Sequence, residues 1–76
     1  MHYMIMSTQD VQSHQLIELS KSGNQFMIYF AHDRSEGVKA RKYFDRLDDA
    51  IQVYAKFVDA FARGDYSAED RASWLA

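Results

Sequence analysis

The first half of the chain alternates apolar and polar residues with a period of two, and one glycine divides the clearest part of this pattern. Gly23 lies between two runs rich in β-forming residues, in the segment Ser22-Gly23-Asn24-Gln25. Glycine at the first position of a two-residue loop is typical of a type II′ β-hairpin. In the register that this turn sets, one face of the hairpin carries Ile17, Leu19, Phe26, Ile28 and Phe30. A three-residue loop would scatter these apolar residues over both faces, so we predict the two-residue turn.

Two further segments are predicted to extend this hairpin into a sheet. A third strand is predicted over about residues 38–44. Its alternation separates Val38, Ala40 and Phe44 from Lys39, Arg41 and Tyr43. Residues 1–6 are predicted as a fourth strand, and residues 7–13 as a polar connection. A helix over residues 8–21 is the alternative, but it leaves most of its turns without an apolar anchor.

Residues 45–63 carry the strongest helical pattern. At 100° per residue, a stripe about 140° wide contains Leu47, Ala50, Ile51, Tyr54, Phe57, Val58, Phe61 and Ala62. Asp45 is the predicted N-cap, with Asp48 reaching back to it, and Gly64 is predicted to end the helix in the left-handed conformation. Residues 67–75 begin with a second capping pattern, which predicts a short C-terminal helix.

These elements predict an α+β fold: a three- or four-stranded antiparallel sheet packed on one long amphipathic helix, with a short C-terminal helix. The 76 residues are predicted to form a single small domain. The sheet occupies about residues 14–44, the main helix residues 45–63 and the short helix residues 67–75. The chain lacks cysteine, so its core must hold it together without disulfides.

Composition also bears on the location and partners of the protein. No run approaches the ~20 apolar residues that span a bilayer, and the first six residues lack the features of a secretory signal. We therefore predict a cytoplasmic protein without a membrane partner. The formal net charge of −2 argues mildly against nonspecific binding to nucleic acid or anionic lipid.

No residue pattern predicts catalysis or a cofactor. The serines lie outside any Gly-x-Ser-x-Gly turn, glycine runs for phosphate are absent, and a helix N-terminus accounts for Asp48 and Asp49. The predicted hairpin register places Gln15 opposite His32, whereas a slip of one residue would pair His14 with His32. Two imidazoles without a third ligand do not predict a metal site. We therefore predict a non-enzymatic protein that has no catalytic residues, metal or cofactor.

Charge is distributed unevenly along the chain. Five of the nine basic residues lie between residues 34 and 46, whereas residues 45–76 hold seven acidic residues and four basic ones. On the predicted sheet face away from the helix, basic side chains lie beside aromatic ones, and Arg and Tyr are enriched where proteins bind partners. The predicted partner-binding residues are Tyr29, Arg34, Lys39, Arg41 and Tyr43. The alternative is an ordinary antiparallel sheet with one solvent-facing side.

Residues 43–54 resemble a recurrent junction between a strand and a helix. An aromatic residue ends the strand, Asp45 caps the helix, and acidic residues precede Ala50 and Tyr54. This junction is similar to that of plant ethylene-response-type DNA-binding domains and integrase arm-binding domains. The resemblance implies three strands, one helix and DNA binding by the exposed sheet face through Arg and Trp. The chain lacks the tryptophans and glycine-rich strand starts of those families.

The size, acidity and lack of motifs resemble those of phage-encoded inhibitors, anti-CRISPR proteins among them, which occlude a larger machine. The sequence thus predicts a small protein-binding module that acts as an inhibitor or adaptor. A nucleic-acid-binding domain that uses the same basic and aromatic face is the alternative. Leu16, Met27, Tyr29 and Tyr43 are predicted to be exposed on that face. This apolar surface also predicts a weak homodimer, formed through the sheet face or the third strand. A C-terminal helix folded back over the face is the alternative to that dimer.

Overall fold

A computed structural model describes residues 2–32 and 38–76 of the chain. The described residues form β1 (His2–Asp10), β2 (Gln15–Ser22), β3 (Gln25–His32), β4 (Lys39–Phe44), α1 (Leu47–Arg63) and α2 (Ala68–Ser73). The strands form one antiparallel sheet in the order β1-β2-β3-β4. Both helices contribute to the core on one side of this sheet. The predicted α+β class is confirmed, and the fourth strand is present.

The turn at Gly23 sets the register of the central hairpin. Gly23 has a φ of 62°, whereas Asn24 does not have a positive φ. This combination is that of a type II′ turn, since a type I′ turn needs a positive φ at both positions. Ser22 pairs with Gln25, and the pairing continues without a slip to the other end of the two strands. The fully buried apolar residues of the hairpin are Ile17, Leu19, Ile28 and Phe30. The predicted register is confirmed.

β1 is longer than predicted. It includes residues 7–10, which the sequence pattern placed in a polar connection. These residues pair with β2, so backbone pairing with an apolar neighbouring strand outweighs their weak local preference. The side chain of Thr8 adds a link to α1, because its Oγ1 lies 2.6 Å from the Tyr54 hydroxyl oxygen. The alternative helix over residues 8–21 does not form.

α1 begins one residue later than predicted because Asp45 is used elsewhere. Asp45 Oδ1 accepts a hydrogen bond from Gln25 Nε2 at 3.1 Å, since both residues adjoin the last pair of the β3–β4 ladder. The N-cap is therefore Arg46, which is extended and makes no side-chain cap. The predicted cap at Asp45 was wrong. Asp48 lies 3.8 Å from the Arg46 guanidinium, in the first turn where a carboxylate favours the helix dipole.

The buried side of α1 is rotated from the predicted stripe. Residues buried as predicted are Ala50, Tyr54 and Phe57. Ala60, which lies outside the predicted stripe, is also buried, because α2 packs on that flank and Arg71 Nη2 donates to the Ala60 carbonyl at 3.1 Å. On the opposite flank, Leu47 and Ile51 remain 37% and 42% exposed. The helix thus leaves apolar side chains on the flank opposite Ala60.

The predicted end of α1 and start of α2 are confirmed. Gly64 has a left-handed φ of 70°, and its amide and that of the next residue donate to carbonyls in the last turn of α1. Ser67 Oγ caps α2 by accepting a hydrogen bond from the amide of Asp70 at 3.1 Å. The chain after α2 then brings Leu75 into the core.

The core lies between the helices and the sheet face that we call the inner face. Its buried residues are Ile17, Leu19, Ile28, Phe30, Ala50, Tyr54, Phe57, Ala68 and Leu75. Phe57 is central, since its ring centroid lies 5.2 Å from that of Phe30 and 5.0 Å from that of Trp74. Within the described residues, neither helix is long and apolar enough to cross a membrane.

Candidate functional site

The outer face of the sheet is the face turned away from both helices. The strand registers align its residues in rows that run across the sheet. One row consists of Ser7, Glu18, Tyr29 and Arg41. The next row contains Ser20, Met27 and Tyr43. Lys39 lies in the row on the other side, opposite Ala31. The sheet therefore brings four of the five predicted partner-binding residues together: Tyr29, Lys39, Arg41 and Tyr43.

Arg41 and Tyr29 form the best-defined contact on the outer face. The guanidinium carbon of Arg41 lies 5.4 Å from the centroid of the Tyr29 ring, which is a cation–π arrangement. Arg41 is exposed, and so is Tyr43 at 46%. The outer-face positions of these rows hold two cations, Lys39 and Arg41, against one carboxylate, that of Glu18. The patch is therefore basic and aromatic, as its residue types predicted.

The apolar part of the outer face is smaller than predicted. Met27 was predicted to be exposed, but it is only 8% exposed, and its cross-strand neighbour Ser20 is 1% exposed. Leu16 is half-buried. Met27 lies between Ser20 and Tyr43 across three paired strands, so its neighbours in the row shield it. The C-terminal segment does not fold back over this face, since Leu75 belongs to the core on the inner side.

Two other basic residues of the same region do not join the patch. Arg34, also predicted to bind a partner, lies outside the described residues. Lys42 pairs with Ile28 and so belongs to the inner face, where its Nζ lies 5.4 Å from the centroid of the Phe44 ring. The described patch therefore rests on Lys39 and Arg41 for its positive charge.

The histidines keep the predicted register. Gln15, not His14, pairs with His32, so the slip that would set the two imidazoles opposite each other is not observed. His14 lies in the β1–β2 turn with a left-handed φ of 58°. His32 Nδ1 is buried without a hydrogen-bond partner among the described residues, as is Ser20 Oγ. In residues 2–32 and 38–76, no three His, Cys, Asp or Glu side chains form a metal-binding group.

A buried arginine that the sequence pattern did not single out joins three parts of the fold. Arg71 of α2 is 2% exposed. Its Nη1 donates to Gln15 Oε1 at the start of β2, and its Nη2 donates to the Ala60 carbonyl in the last turn of α1. Its Nε and Nη2 both donate to the carbonyl of Asp65 in the α1–α2 connection. Asp10 Oδ2, at the end of β1, lies 4.0 Å from Nη1.

The environment of Arg71 indicates a structural role. Burial lowers the pKa of Arg71 below its ordinary value, and the carboxylates of Asp10 and Asp65 oppose that change by raising it. The guanidinium stays charged, and four of its hydrogen bonds go to protein acceptors. Its carbon also lies 5.0 Å from the centroid of the Phe61 ring. Sequence reasoning missed this residue because arginine in a short polar helix is ordinarily exposed.

The candidate site is thus a basic and aromatic sheet face in a small α+β domain, and no described element covers it. Comparison with known proteins finds no matching family model, no matching curated protein and no matching solved structure. What the face offers a partner follows from its own chemistry: two cations and two phenol rings, beside a Met27 side chain that is itself buried.

Proposed function

We propose that this chain is a non-enzymatic module that binds another protein through the outer face of its sheet. The observation that supports this proposal is Arg41 stacked on Tyr29, beside the exposed Tyr43, on a face that the described helices leave open. Tyr and Arg are among the side chains that contribute most of the binding energy at protein interfaces.

The patch is held by paired strands rather than by loops. Tyr29 is directly opposite Arg41, and Met27 is directly opposite Tyr43. Cross-strand pairing fixes the spacing of these side chains before a partner arrives. Binding then costs less conformational entropy than it would with side chains on a mobile segment. The buried Met27 gives the row a packed base next to the exposed Tyr43 ring.

The chemistry of the patch describes the partner that fits it. Lys39 and Arg41 favour a surface with carboxylates, to which the guanidinium can donate two parallel hydrogen bonds. The ring of Tyr43 suits an apolar pocket with a hydrogen-bond acceptor at its far end. We therefore propose an acidic protein surface that has a recess for one aromatic side chain.

Occlusion is the mode of action that suits so small a chain. One rigid face on a 76-residue protein can cover part of a larger partner, as an inhibitor or adaptor does. We propose that it does so in the cytoplasm, as the sequence predicts. The likeness of type to phage-encoded inhibitors, including anti-CRISPR proteins, stays a prediction.

Partner capture tests the outer face directly. A protein retained from native lysate by the immobilised chain is expected to be lost with Tyr43→Ala or Arg41→Ala. Truncation of a hot-spot side chain costs about 2 kcal/mol or more, which is roughly thirtyfold in affinity. Gln52→Ala, at an exposed position on α1, is the matched control and should retain the partner. Quantitative mass spectrometry of the eluates identifies the partner, and titration of the purified partner measures the affinity.

Lys39→Ala is expected to have a smaller effect on affinity in the same experiment. At the rim of an interface, loss of a charge changes the association rate and its salt dependence more than the affinity. Lys39, Arg41 and Tyr43 are exposed, so far-UV circular dichroism separates a loss of binding from a loss of fold. Capture that is the same for Tyr43→Ala, Arg41→Ala and Gln52→Ala would place the interface on another surface.

A nucleic-acid-binding role for the same face is the second candidate. Tyr43 and the Tyr29–Arg41 pair are side chains on which unpaired bases can stack, and Lys39 and Arg41 can contact phosphates. The resemblance of residues 43–54 to sheet-face DNA-binding domains also favours it. It ranks second because the patch has two described cations and the whole chain has a net charge of −2.

Salt dependence tests the second candidate. With about two phosphate contacts, affinity should fall about tenfold between about 50 mM and about 200 mM salt. Fluorescence anisotropy with labelled single-stranded and duplex DNA and RNA measures this change. Tyr43→Ala should weaken single-strand binding further by removing a stacking surface. An absence of binding at the lower salt concentration would reject this candidate and leave the protein partner as the role of the face.

A further inference from the structure

The two edge strands of the described sheet differ in charge. β4 carries Lys39, Arg41 and Lys42 among its six residues, and charged side chains keep an edge strand from pairing with other chains. β1, the opposite edge, has no formal charge over residues 2–9 when histidine is neutral. No described strand pairs with the edge of β1 that points away from β2. Its unpaired backbone groups therefore lack the protection that β4 has.

β1 is also apolar on both of its faces near its start. The register places Tyr3 and Met6 on the inner face and Met4 on the outer face, with a bulge between Met4 and Met6 that adds Ile5. These side chains are between 38% and 54% exposed. A strand that is apolar on both faces is typical of the middle of a sheet, where neighbours and covering layers bury it. β1 has this composition at an edge.

Four of the nine large hydrophobic residues that are exposed in the described part of the chain thus follow one another on this edge strand. This β1 edge patch consists of Tyr3, Met4, Ile5 and Met6. A gathering of this kind on a small protein ordinarily marks a surface that another chain covers.

We propose that the occupant of the β1 edge patch is a second copy of this chain, with the two β1 strands antiparallel across a twofold axis near Ile5. Twofold symmetry makes one patch its own complement. Because residues 2–9 are uncharged, the two copies meet without the repulsion that two copies of β4 would have. The charged β4 strands would lie at both outer ends of the joined sheet, so assembly stops at the dimer. This interface differs from the two that the sequence predicted, which were the sheet face and the third strand.

Sedimentation velocity over about 1 µM to about 1 mM protein tests this assignment. The unmodified chain is expected to shift reversibly from monomer to dimer as its concentration rises. Met6→Lys and Ile5→Lys should each weaken the dimer by at least about tenfold, because they place like charges across the axis. Val11→Lys is the matched control, since Val11 is 76% exposed in the β1–β2 turn and lies outside the patch. The Val11→Lys variant should dimerise over the same concentration range as the unmodified chain.

Crosslinking of single-cysteine variants gives a second measurement that adds no charge to the patch, in a chain that has no cysteine of its own. Ile5→Cys should crosslink to a dimer, whereas Val11→Cys should not, because antiparallel pairing near Ile5 sets the two copies of residue 11 about 40 Å apart. A chain that stays monomeric up to about 1 mM would overturn the proposal. So would a dimer that withstands Met6→Lys and Ile5→Lys but dissociates with Tyr43→Lys, because that contact would lie on the outer face. The outer-face capture experiment is unaffected by either result.

Discussion

Replacing Arg71 with alanine is expected to lower the free energy of unfolding by about 3–5 kcal/mol. A chain of this length has roughly 4–11 kcal/mol in total, so the loss removes at least about a quarter of its stability. The substitution leaves Gln15 Oε1 and the Asp65 carbonyl without this donor, and it removes one of the donors to the Ala60 carbonyl, which keeps the amide of Asp65. It also removes the cation that lies 4.0 Å from the Asp10 carboxylate. Buried acceptors without a donor carry their full desolvation cost.

Arg63→Ala is the matched control for this prediction. Arg63 is an arginine in the last turn of α1, and its Nε lies 3.3 Å from Asp59 Oδ1, but both side chains are more than 60% exposed. An exposed pair of this kind contributes little, so we expect a change within about 0.5 kcal/mol. Arg71→Lys should not restore stability, because one ammonium cannot reach acceptors that the planar guanidinium reaches in three directions.

Urea denaturation followed by circular dichroism measures all three variants on one scale. The expected order of stability is unmodified chain and Arg63→Ala together, then Arg71→Lys, then Arg71→Ala. Equal losses for Arg63→Ala and Arg71→Ala would mean that the guanidinium of Arg71 does not join β2, α1 and the α1–α2 connection as described.

The second large effect is expected from Phe57→Ala, at about 3–5 kcal/mol. Phe57 is fully buried, and its ring contacts those of Phe30 and Trp74. Its removal would leave a cavity where the sheet, α1 and the chain after α2 meet, and paired strands leave little room for collapse. Phe61→Ala should cost less, because Phe61 is only half-buried.

Gln52→Ala provides the neutral reference on α1, and a change within about 0.5 kcal/mol is expected. Lys56 is a poorer reference, although the sequence places it on the same solvent-facing side. Its Nζ lies 4.3 Å from the centroid of the Trp74 ring, so its removal also loses a cation–π contact. Thermal unfolding of Phe57→Ala, Phe61→Ala and Gln52→Ala checks the orientation of α1. A greater loss for Phe61→Ala than for Phe57→Ala would show that orientation to be wrong.

The elements that could be predicted depend on residues close together in the chain. Gly23 sets the hairpin register through a two-residue turn, and Gly64 and Ser67 mark the end of one helix and the start of the next. Alternation then follows along each strand, so the grouping of Tyr29, Lys39, Arg41 and Tyr43 on one face could also be predicted. Side-chain directions repeat about every two residues in a strand and about every 3.6 residues in a helix, so residues that are close in the chain are enough to predict them.

Exposure within that face could not be predicted from alternation. Alternation assigns Met27 and Ser20 to the outer face, but their burial depends on side chains in neighbouring strands. The pairing of residues 7–10 with β2 could not be predicted either. Residues 7–10 have little preference for a strand, and they form one because β2 offers them a paired partner.

The class of fold, the central hairpin, the two helices and the residue types on the outer face therefore follow from local sequence patterns. Other contacts depend on the folded chain as a whole: Asp45 bonds to Gln25, 20 residues away, and Arg71 bonds to Gln15, 56 residues away. The same holds for Leu47 and Ile51, which stay exposed because α2 packs on the opposite flank of α1. Each of these outcomes depends on a partner that is distant in the chain. The spacing of residues in the chain predicts the direction of a side chain, whereas tertiary packing determines which residues that side chain contacts.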